Sequence, residues 1–141
     1  MQIHNNYDYI IIGAGCAGLS LAYRLLNKNY TVCILESQEN INHINKLWSF
    51  WDTYRTPFNH LIKKRWNKLL IKNNKEQIEI NCNNYNYQSI DSHDFNNYIL
   101  EKINKSNNVD IKFSSEVKSI VKKYKKVSLS TNYDSFLCKH V

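Results

Sequence analysis

The apolar positions near the start of the chain change their period twice. Tyr7 to Ile12 is a nearly continuous apolar run, which is typical of a strand buried on both faces of a parallel sheet. From Cys16 to Asn29 the apolar residues recur at helical spacing. That helical face consists of Leu19, Ala22, Tyr23 and Leu26. Tyr30 to Glu36 is again rich in β-formers, so the pattern predicts a strand–helix–strand unit with Asn29 as the left-handed helix cap.

The middle of the chain is less regular. Ser37 to Lys68 follows no single period, although it is rich in aromatic residues. Leu69 to Lys72 and Gln77 to Asn81 predict a hairpin with two asparagines in its turn. Ser92 is expected to cap a helix that begins at the next residue or the one after it. The buried face of this helix is predicted to contain Phe95, Tyr98, Ile99 and Ile103.

The last third of the chain predicts four strands. The first is Val109 to Phe113. The other three are joined by short connections, which predicts an antiparallel meander; they are Glu116 to Val121, Val127 to Ser130 and Phe136 to Val141. The last strand has no turn or cap after it, so we expect the chain to be the front part of a longer protein. We therefore interpret residues 1–141 as one segment with an inserted aromatic loop and hairpin at about residues 37–92.

Composition narrows the class of protein. The 141 residues are 43% hydrophobic and 22% charged, which favours a globular domain over a disordered chain. No apolar run approaches the roughly 18 residues of a membrane helix, and the polar start at Met1 to Asp8 does not resemble a signal peptide. The cysteines at 16, 33, 82 and 138 form no CxxC pair, which favours reduced thiols in the cytoplasm. The histidines at 4, 43, 60, 93 and 140 lack metal-ligand spacing, so no metal site is predicted.

The net charge of +7 points weakly to nucleic acid. The chain is rich in lysine and asparagine but contains only Arg24, Arg55 and Arg65, without the arginine clusters or interleaved aromatics of nucleic-acid binders. We therefore expect no nucleic-acid partner. The basic run Lys122 to Lys126 is interpreted as a solvated turn, with contact to an anionic surface as the open alternative.

Candidate chemistry begins with Gly13-Ala14-Gly15-Cys16-Ala17-Gly18, a G-x-G-x-x-G motif between a predicted strand and a predicted helix. Gly13 would allow the tight turn, Gly15 the approach of a pyrophosphate, and Gly18 the close packing of helix and strand. The start of the helix would offer N–H groups to the phosphates. This context predicts a dinucleotide site.

Glu36 ends the second strand, where a carboxylate accepts hydrogen bonds from a ribose diol and repels a 2′-phosphate. About 70 residues separate this strand from the one at Val109, and a meander follows. A plain NAD domain continues sooner with another helix and strand. The order of elements looks like the FAD domain of the glutathione reductase and hydroxylase group, so FAD is favoured over NAD. The fold class expected is therefore α/β, a Rossmann-like parallel sheet with a β-meander, incomplete at its C-terminus.

Motifs that follow Glu36 in the sequence resemble those of one particular family of FAD enzymes. Leu47-Trp48-Ser49-Phe50-Trp51 resembles the Thr-Trp-Ser/Cys-Phe-Trp motif of lycopene cyclases, and Trp66 matches a tryptophan that follows it in that family. Residues Tyr85 to Tyr98 resemble the family's Tyr-x-Tyr…Ile…Asp-Phe…Tyr pattern. The similarity runs from Tyr7 to Val141 but covers only about the front third of a typical member. Lys46 and Leu47 depart from the motif, which affects local polar contacts.

The resemblance implies cyclisation of the ends of lycopene to ionone rings by a reduced flavin without net redox change. NAD(P)H would then serve as external reductant. The family's carboxylate-rich catalytic motif lies beyond Val141, so no catalytic residue is assigned here and the chain alone is expected to be inactive. By the same resemblance the backbone at Val117 would contact adenine. Peripheral membrane contact, on the inner face, is expected only because a carotenoid substrate is insoluble in water.

Several alternatives stay open at this stage. The chain could belong to another FAD enzyme, a monooxygenase or a prenyl-chain reductase, or be an inactive remnant. Trp48, Phe50 and Trp51 could line a carotenoid tunnel or pack in the core. Asp91 and Asp94 are interpreted as helix-start residues rather than general acids. Ring type and oligomeric state are not determined by the sequence.

Overall fold

The computed structural model describes residues 3–42 and 44–141. The elements, in chain order, are β1 Ile3–Ile12, α1 Cys16–Leu25, β2 Val32–Leu35, β3 Leu47–Trp51, a 3-10 turn Asn59–Leu61, β4 Ile62–Trp66, β5 Lys68–Lys72, β6 Gln77–Asn81, β7 Tyr87–Asp91, α2 Ser92–Asn104, β8 Val109–Lys112, β9 Val117–Lys123, β10 Lys126–Thr131 and β11 Ser135–His140. They form two compact units. The first comprises the described residues of Met1–His43 with Asn96–Val141, and the second is Ile44–Phe95.

A six-stranded sheet organises the first unit, in the order β8-β2-β1-β11-β10-β9. Strands β8, β2, β1 and β11 run parallel, whereas β10 and β9 continue from β11 as an antiparallel meander. The strand–helix–strand unit and the meander are therefore confirmed. All four residues of β2 are buried because this strand lies between β8 and β1. Such an interior strand needs apolar side chains on both faces, which explains the continuous run in the sequence.

The core of the first unit includes a cluster of buried side chains from four neighbouring strands. Its members are Ile10, Cys33, Leu35, Val127, Leu129, Phe136 and Cys138, with Tyr7 and Val117 packed against them. Burial raises the pKa of the Cys33 thiol to about 12, so this cysteine acts as a small apolar core residue. The buried residues of α1 are Leu19 and Ala22, two of the positions predicted from the helical period.

Helix α1 ends at Leu25, four residues before the predicted end. The left-handed residue is Asn27, with φ 57°, so the assignment of the cap to Asn29 was wrong. Asn108 gives the physical reason, because its side chain reaches back from the loop before β8. Its Nδ2 donates to the carbonyls of Leu25 at 3.0 Å and Lys28 at 3.2 Å, and its Oδ1 accepts from the N–H of Asn27. A partner 81 residues away thus fixes where the helix stops.

The second unit contains a three-stranded antiparallel sheet, β3-β7-β4, and the two-stranded hairpin β5-β6. The hairpin is confirmed, and the Oδ1 of Asn73 closes its turn by accepting from the N–H groups of Lys75 and Glu76. Strands β3, β4 and β7 were not predicted from the sequence. Apolar residues at four of five positions conceal the alternation of β3, and β4 is largely cationic.

Helix α2 begins at Ser92. Its N-terminal side-chain cap is Asp91, whose Oδ1 accepts from the N–H of His93 at 2.9 Å. The Ser92 hydroxyl instead accepts from the N–H of Lys46 at 2.8 Å and donates to the side chain of Asn45. The prediction of Ser92 as the cap was therefore wrong, because a distant segment of the same unit uses its hydroxyl. The capping role of Asp91 is confirmed.

Candidate functional site

The glycine motif lies at the carboxyl end of β1, between that strand and α1. Gly13 adopts φ +92°, which a residue with a side chain rarely adopts, and its N–H donates to the carbonyl of Leu35 at 2.8 Å. The turn is therefore tied to the end of β2. Because β1 and β2 run parallel, both carboxyl ends meet at this edge of the sheet, where α/β folds bind their ligands.

Gly18 and Gly15 differ in what surrounds their missing side chains. A Cβ on Gly18 would lie 2.1 Å from the carbonyl oxygen of Gly13 and 3.2 Å from the Ile11 side chain. Helix and strand can approach so closely only with glycine here. A Cβ on Gly15 would meet nothing within 4 Å. The space beside Gly15 is thus open to a ligand.

The first turn of α1 is suited to an anion. Gly15 is the N-cap residue, and among the described residues no side chain caps this end and no acid lies in its first turn. The opening N–H groups of a helix have no partner within the helix and carry the positive end of its dipole. Gly15, Cys16 and Ala17 are exposed, so this end is accessible to a phosphate.

Two members of the motif have other surroundings. Ala14 is buried, and its N–H donates to Oε2 of Glu36 at 2.7 Å, so this N–H supports the acid. The Cys16 thiol lies in the first turn. Desolvation raises its pKa, although a hydrogen bond with Ser20 opposes that effect. A thiol that stays protonated at neutral pH is a poor nucleophile.

Glu36 follows β2 directly and is only 9% exposed. Besides the bond from Ala14, its Oε1 accepts from the N–H of Gln38 at 2.9 Å and from the hydroxyl of Ser37 at 3.2 Å. Burial by itself raises the pKa of this carboxyl, but the hydrogen bonds outweigh burial and hold the pKa below its ordinary value. The side chain is therefore an ionised acceptor held in a fixed orientation.

The acceptor capacity of Glu36 has a consequence for a sugar ligand. A carboxylate offers about four acceptor positions, and three are used by Ala14, Gln38 and Ser37. One position on Oε2 is left, and a ribose hydroxyl bound here would donate to it. A second hydroxyl requires the Ser37 hydroxyl to rotate away from Oε1, which is a small change because Ser37 is exposed.

The segment before β9 is held against the end of β2. The N–H of Ser115 donates to the carbonyl of Glu36 at 2.7 Å, and the N–H of Ser114 donates to the carbonyl of Gln38 at 3.0 Å. Val117 follows two residues later, half-buried against the core cluster. The structure thus brings the chain close to Val117 to the edge that carries Glu36. The two serines were missed by sequence reasoning, because nothing local distinguishes their N–H groups.

These observations test whether the residues suit a dinucleotide such as FAD. The open side of Gly15, the uncapped and accessible start of α1 and the ionised Glu36 provide what a diphosphate and an adjoining ribose need. A Cβ on Gly13 or Gly15 would meet no atom within 4 Å, so no side chain fills the space beside this turn. The residues therefore fit the adenosine diphosphate half of FAD.

The aromatic motif of β3 divides between two roles. Trp48 is half-buried and meets Phe95 edge-on, with ring centroids 5.1 Å apart. Trp51 is 43% exposed, and its ring centroid lies 5.1 Å from that of Tyr87. The ring centroid of Tyr87 lies 6.1 Å from that of Trp66. Trp51 and Trp66 are both register partners of Tyr87, so the three rings form a row across the sheet.

Trp51 also lines a pocket of about 390 Å³ within the second unit. The other lining residues are Ile80, Asn81, Cys82, Asn83, Asn84 and Tyr85. Trp48 thus packs against Phe95, whereas Trp51 is exposed and lines an open pocket. Phe50 is half-buried on the same strand.

The described residues contain no group of three or more His, Cys, Asp or Glu side chains that could hold a metal ion. His43 and the side chain of His4 lie outside the described part of the chain. Neither helix in the described parts of the chain has the length and hydropathy needed to cross a membrane.

Comparison with known sequences identifies one family. A sequence model of the family described as "Lycopene cyclase protein" matches residues 8–138, which is most of the chain. No curated protein matches the chain by sequence.

Solved structures share the fold at low sequence identity. The p-nitrophenol 4-monooxygenase PnpA from Pseudomonas putida DLL-E4 has a TM-score of 0.77 and 17% identity, over 96% of this chain and 40% of that one. The flavin-dependent monooxygenase PieE, solved with FAD and substrate, has a TM-score of 0.69 and 11% identity, over 95% of this chain and 29% of that one. A geranylgeranyl bacteriochlorophyll reductase-like protein from Thermoplasma acidophilum has a TM-score of 0.68 and 14% identity, over 99% of this chain and 38% of that one. The predicted fold class is confirmed, and the chain spans well under half of each of these proteins.

Proposed function

The chain belongs to the lycopene cyclase family, and from this premise we propose that it is the FAD-binding part of a flavin-dependent lycopene cyclase. The observation that carries the proposal is the open, uncapped turn at Gly15 beside the ionised carboxylate of Glu36. The likeness in fold to FAD-dependent monooxygenases supports the choice of cofactor.

In this proposal the protein's own residues bind and orient the adenosine half of the cofactor. The N–H groups at the start of α1 donate to the diphosphate, and Glu36 accepts from the ribose. The same carboxylate repels a 2′-phosphate, so NADPH, the candidate external reductant, is disfavoured in this cradle. When bound and reduced, FAD would supply an electron-rich ring that stabilises nearby positive charge.

The proposed reaction is an isomerisation. A proton adds to the terminal double bond of lycopene, an internal double bond attacks the resulting tertiary cation, and loss of a proton completes the ionone ring. Trp51 is our candidate for contact with the polyene, because an aromatic face suits both an apolar chain and a carbocation. The catalytic acid is not assigned to any residue of this chain.

Flavin binding is the direct test of the cradle. We expect the purified chain to bind FAD more tightly than FMN, because FMN lacks the adenosine diphosphate half. Glu36→Gln should weaken FAD binding by roughly tenfold, since a charged hydrogen bond contributes about 1.5–3 kcal/mol. Glu79→Gln, which removes an exposed acid that pairs with Lys68, is the matched control and should leave binding unchanged.

Equal affinity for FAD and FMN would contradict the cradle. So would an equal loss of affinity in the Glu36 and Glu79 variants, because it would show that general charge rather than the ribose contact is responsible.

The reaction itself is tested by expressing the complete product of the natural gene in lycopene-accumulating cells, because residues 1–141 alone are expected to be inactive. Ionone-ring carotenoids are the expected products, and membrane fractions of the same cells test the proposed peripheral contact. Oxygenated lycopene would instead indicate a monooxygenase, and hydrogenated lycopene a reductase. Unchanged lycopene, with the protein present, would reject the cyclase proposal.

A further inference from the structure

Two of the chain's three arginines lie beside one pocket, far along the sequence from the glycine motif. The pocket has a volume of about 540 Å³, which is in the usual range for small-molecule sites. It lies wholly within the second unit. Its lining residues are Asp52, Arg55, Thr56, Pro57, Asn59, His60 and Arg65.

The loop that carries Arg55 is held in place by local hydrogen bonds. Oδ1 of Asn59 accepts from the N–H of Thr56 at 2.8 Å and from its hydroxyl at 2.9 Å. The Thr56 oxygen in turn accepts from the N–H of Phe58 at 3.2 Å. Phe58 is buried and packs against Phe95, with ring centroids 4.8 Å apart. The loop is therefore anchored before any ligand binds, which lowers the entropic cost of binding.

The side chain of Arg65, on β4, is oriented by a residue of β7, the central strand of the same sheet. Its Nε donates to Oε1 of Gln88 at 3.2 Å, and Gln88 is completely buried. This contact uses only one edge of the guanidinium and leaves its two terminal nitrogens available. A guanidinium fixed at Nε can present these nitrogens to an oxyanion as a fork.

Within the described part of the chain, neither arginine forms an ion pair with a carboxylate. Asp52 also lines the pocket, and its carboxylate opposes a bare anion. The same carboxylate accepts hydrogen bonds from hydroxyl groups. The lining thus combines two positive forks with one hydroxyl acceptor.

We propose that Arg55 and Arg65 bind the phosphate of a small phosphate ester whose neighbouring hydroxyl donates to Asp52. This site is formed by residues other than those of the cofactor cradle. The shared chemistry is a phosphate beside a hydroxyl, as in a sugar phosphate or the 2′-phosphate end of a nucleotide. Free inorganic phosphate would satisfy the arginines but not Asp52.

Calorimetric titration of the chain with adenosine 2′-phosphate, glucose 6-phosphate, inorganic phosphate and adenosine tests the proposal. The titrations are made with and without saturating FAD, which keeps phosphate out of the cradle. We expect both esters to bind, inorganic phosphate to bind more weakly, and adenosine not to bind. A preference between the two esters identifies the source of the phosphate. If FAD does not bind, the proposed function fails, but the titrations without FAD still test this pocket.

Arginine variants locate the binding. Arg55→Gln and Arg65→Gln should each lower ester affinity at least tenfold, because each removes charged hydrogen bonds. Arg65→Lys keeps the charge but loses the fork and should lower affinity severalfold. Arg24→Gln removes the same charge from α1, outside the pocket, and should leave affinity unchanged. An equal loss in the Arg24 variant, or no loss in the pocket variants, would overturn the proposal.

Asp52→Asn provides a test that does not remove an arginine. Removing the carboxylate should raise the affinity for inorganic phosphate by about threefold, as expected for loss of a charge repulsion near a surface. The affinity for the esters should rise less or fall, because their hydroxyl loses its acceptor. An equal rise for all phosphates would refute the role of Asp52 in binding a hydroxyl. Melting curves of each variant show whether it is folded.

Discussion

Strands β2 and β6 show how differently the two units treat their apolar residues. All four residues of β2, Val32–Leu35, are buried. All five residues of β6, Gln77–Asn81, are exposed, including Ile78 and Ile80. Strand β2 has a neighbour on each side in a six-stranded sheet, whereas β6 pairs only with β5. The number of neighbouring strands, rather than the apolar content alone, decides burial here.

The two units therefore suit different kinds of binding site. The proposed cofactor cradle lies at the edge of the sheet, where close packing and hydrogen bonds fix the positions of backbone N–H groups and of Glu36. The second unit presents aromatic and cationic side chains on a small sheet and on an anchored loop. We therefore expect substitution of buried residues in the six-stranded sheet to lower stability. Substitution of exposed side chains on the hairpin β5-β6 should have little effect on stability.

The largest contrast should come from truncating one apolar side chain in each unit. Phe136 is 1% exposed in the core cluster, so Phe136→Ala should lower the free energy of unfolding by about 3–5 kcal/mol. Ile78 is 59% exposed, so Ile78→Ala should change it by less than about 0.5 kcal/mol. Urea unfolding at neutral pH measures both. A loss of similar size in the two variants would show that the hairpin is packed as tightly as the sheet.

Glycine substitutions should separate stability from binding within the cradle. Gly18→Ala places a Cβ 2.1 Å from a backbone oxygen, so the helix must move and the free energy of unfolding should fall by about 1–3 kcal/mol. A Cβ on Gly15 meets no protein atom within 4 Å, so Gly15→Val should leave stability nearly unchanged while FAD affinity falls.

Melting curves and flavin titration distinguish the two glycine variants. Leu21→Ala, at an exposed position of α1 outside the glycine motif, is the control for general disturbance of this helix and should retain both properties. If Gly15→Val bound FAD as well as the unchanged protein, the phosphates would have to lie elsewhere.

Asn108 gives a smaller effect that is still confined to the first unit. Its Nδ2 donates to the carbonyl of Leu25, the last residue of α1, and to those of Lys28 and Tyr30 in the loop that follows. Asn108→Ala leaves these groups to water and should lower the free energy of unfolding by about 1–2 kcal/mol. Asn83→Ala, at an exposed loop position of the second unit, is the matched control. Equal melting temperatures of the two variants would contradict this capping role.

The smallest expected effect is a dependence of stability on pH. A hydrogen bond from Lys139 and further bonds from Thr31 lower the pKa of Asp8 to about 2, below its ordinary value of 3.8. Because the folded protein binds the proton less readily, this contribution is complete above about pH 4 and is lost as the pH falls through 2. Asp8→Asn should therefore be less stable than the unchanged protein at neutral pH. The difference should persist at pH 6, shrink as the pH falls below 4 and disappear only below about pH 2.

The sequence permitted several parts of the fold to be predicted because their signals are local. The run before Gly13, the spacing of Leu19 and Ala22, and the turn asparagine Asn73 each act within a few residues. Strands β3, β4 and β7 were not predicted, since β3 is almost wholly apolar, β4 is largely cationic and β7 is polar at three of its five positions. Their pairing is decided by partners up to about 45 residues apart, such as Leu47 and Asp91.

For the candidate sites too, local sequence patterns indicated one part and only the structure showed the rest. The order of the glycines and the acid at position 36 are enough, as a sequence pattern, to indicate a dinucleotide cradle. Only the tertiary structure shows that the N–H of Ala14 supports Glu36 and that Ser115 brings the start of the meander to this edge. That Arg55 and Arg65 line one pocket also needed the structure, because Arg55 lies in a loop and Arg65 in β4, on opposite sides of the 3-10 turn.

The sequence by itself determined the strand–turn–helix that makes the cradle, because glycine conformation and helix termini depend on neighbouring residues. The tertiary structure decided that α1 ends at Leu25, beside the side chain of Asn108, that Ser92 does not cap α2, and that Arg55 and Arg65 line one pocket. Each of these depends on which polar group is free to bond, and that competition is settled only when distant segments of the chain are brought together.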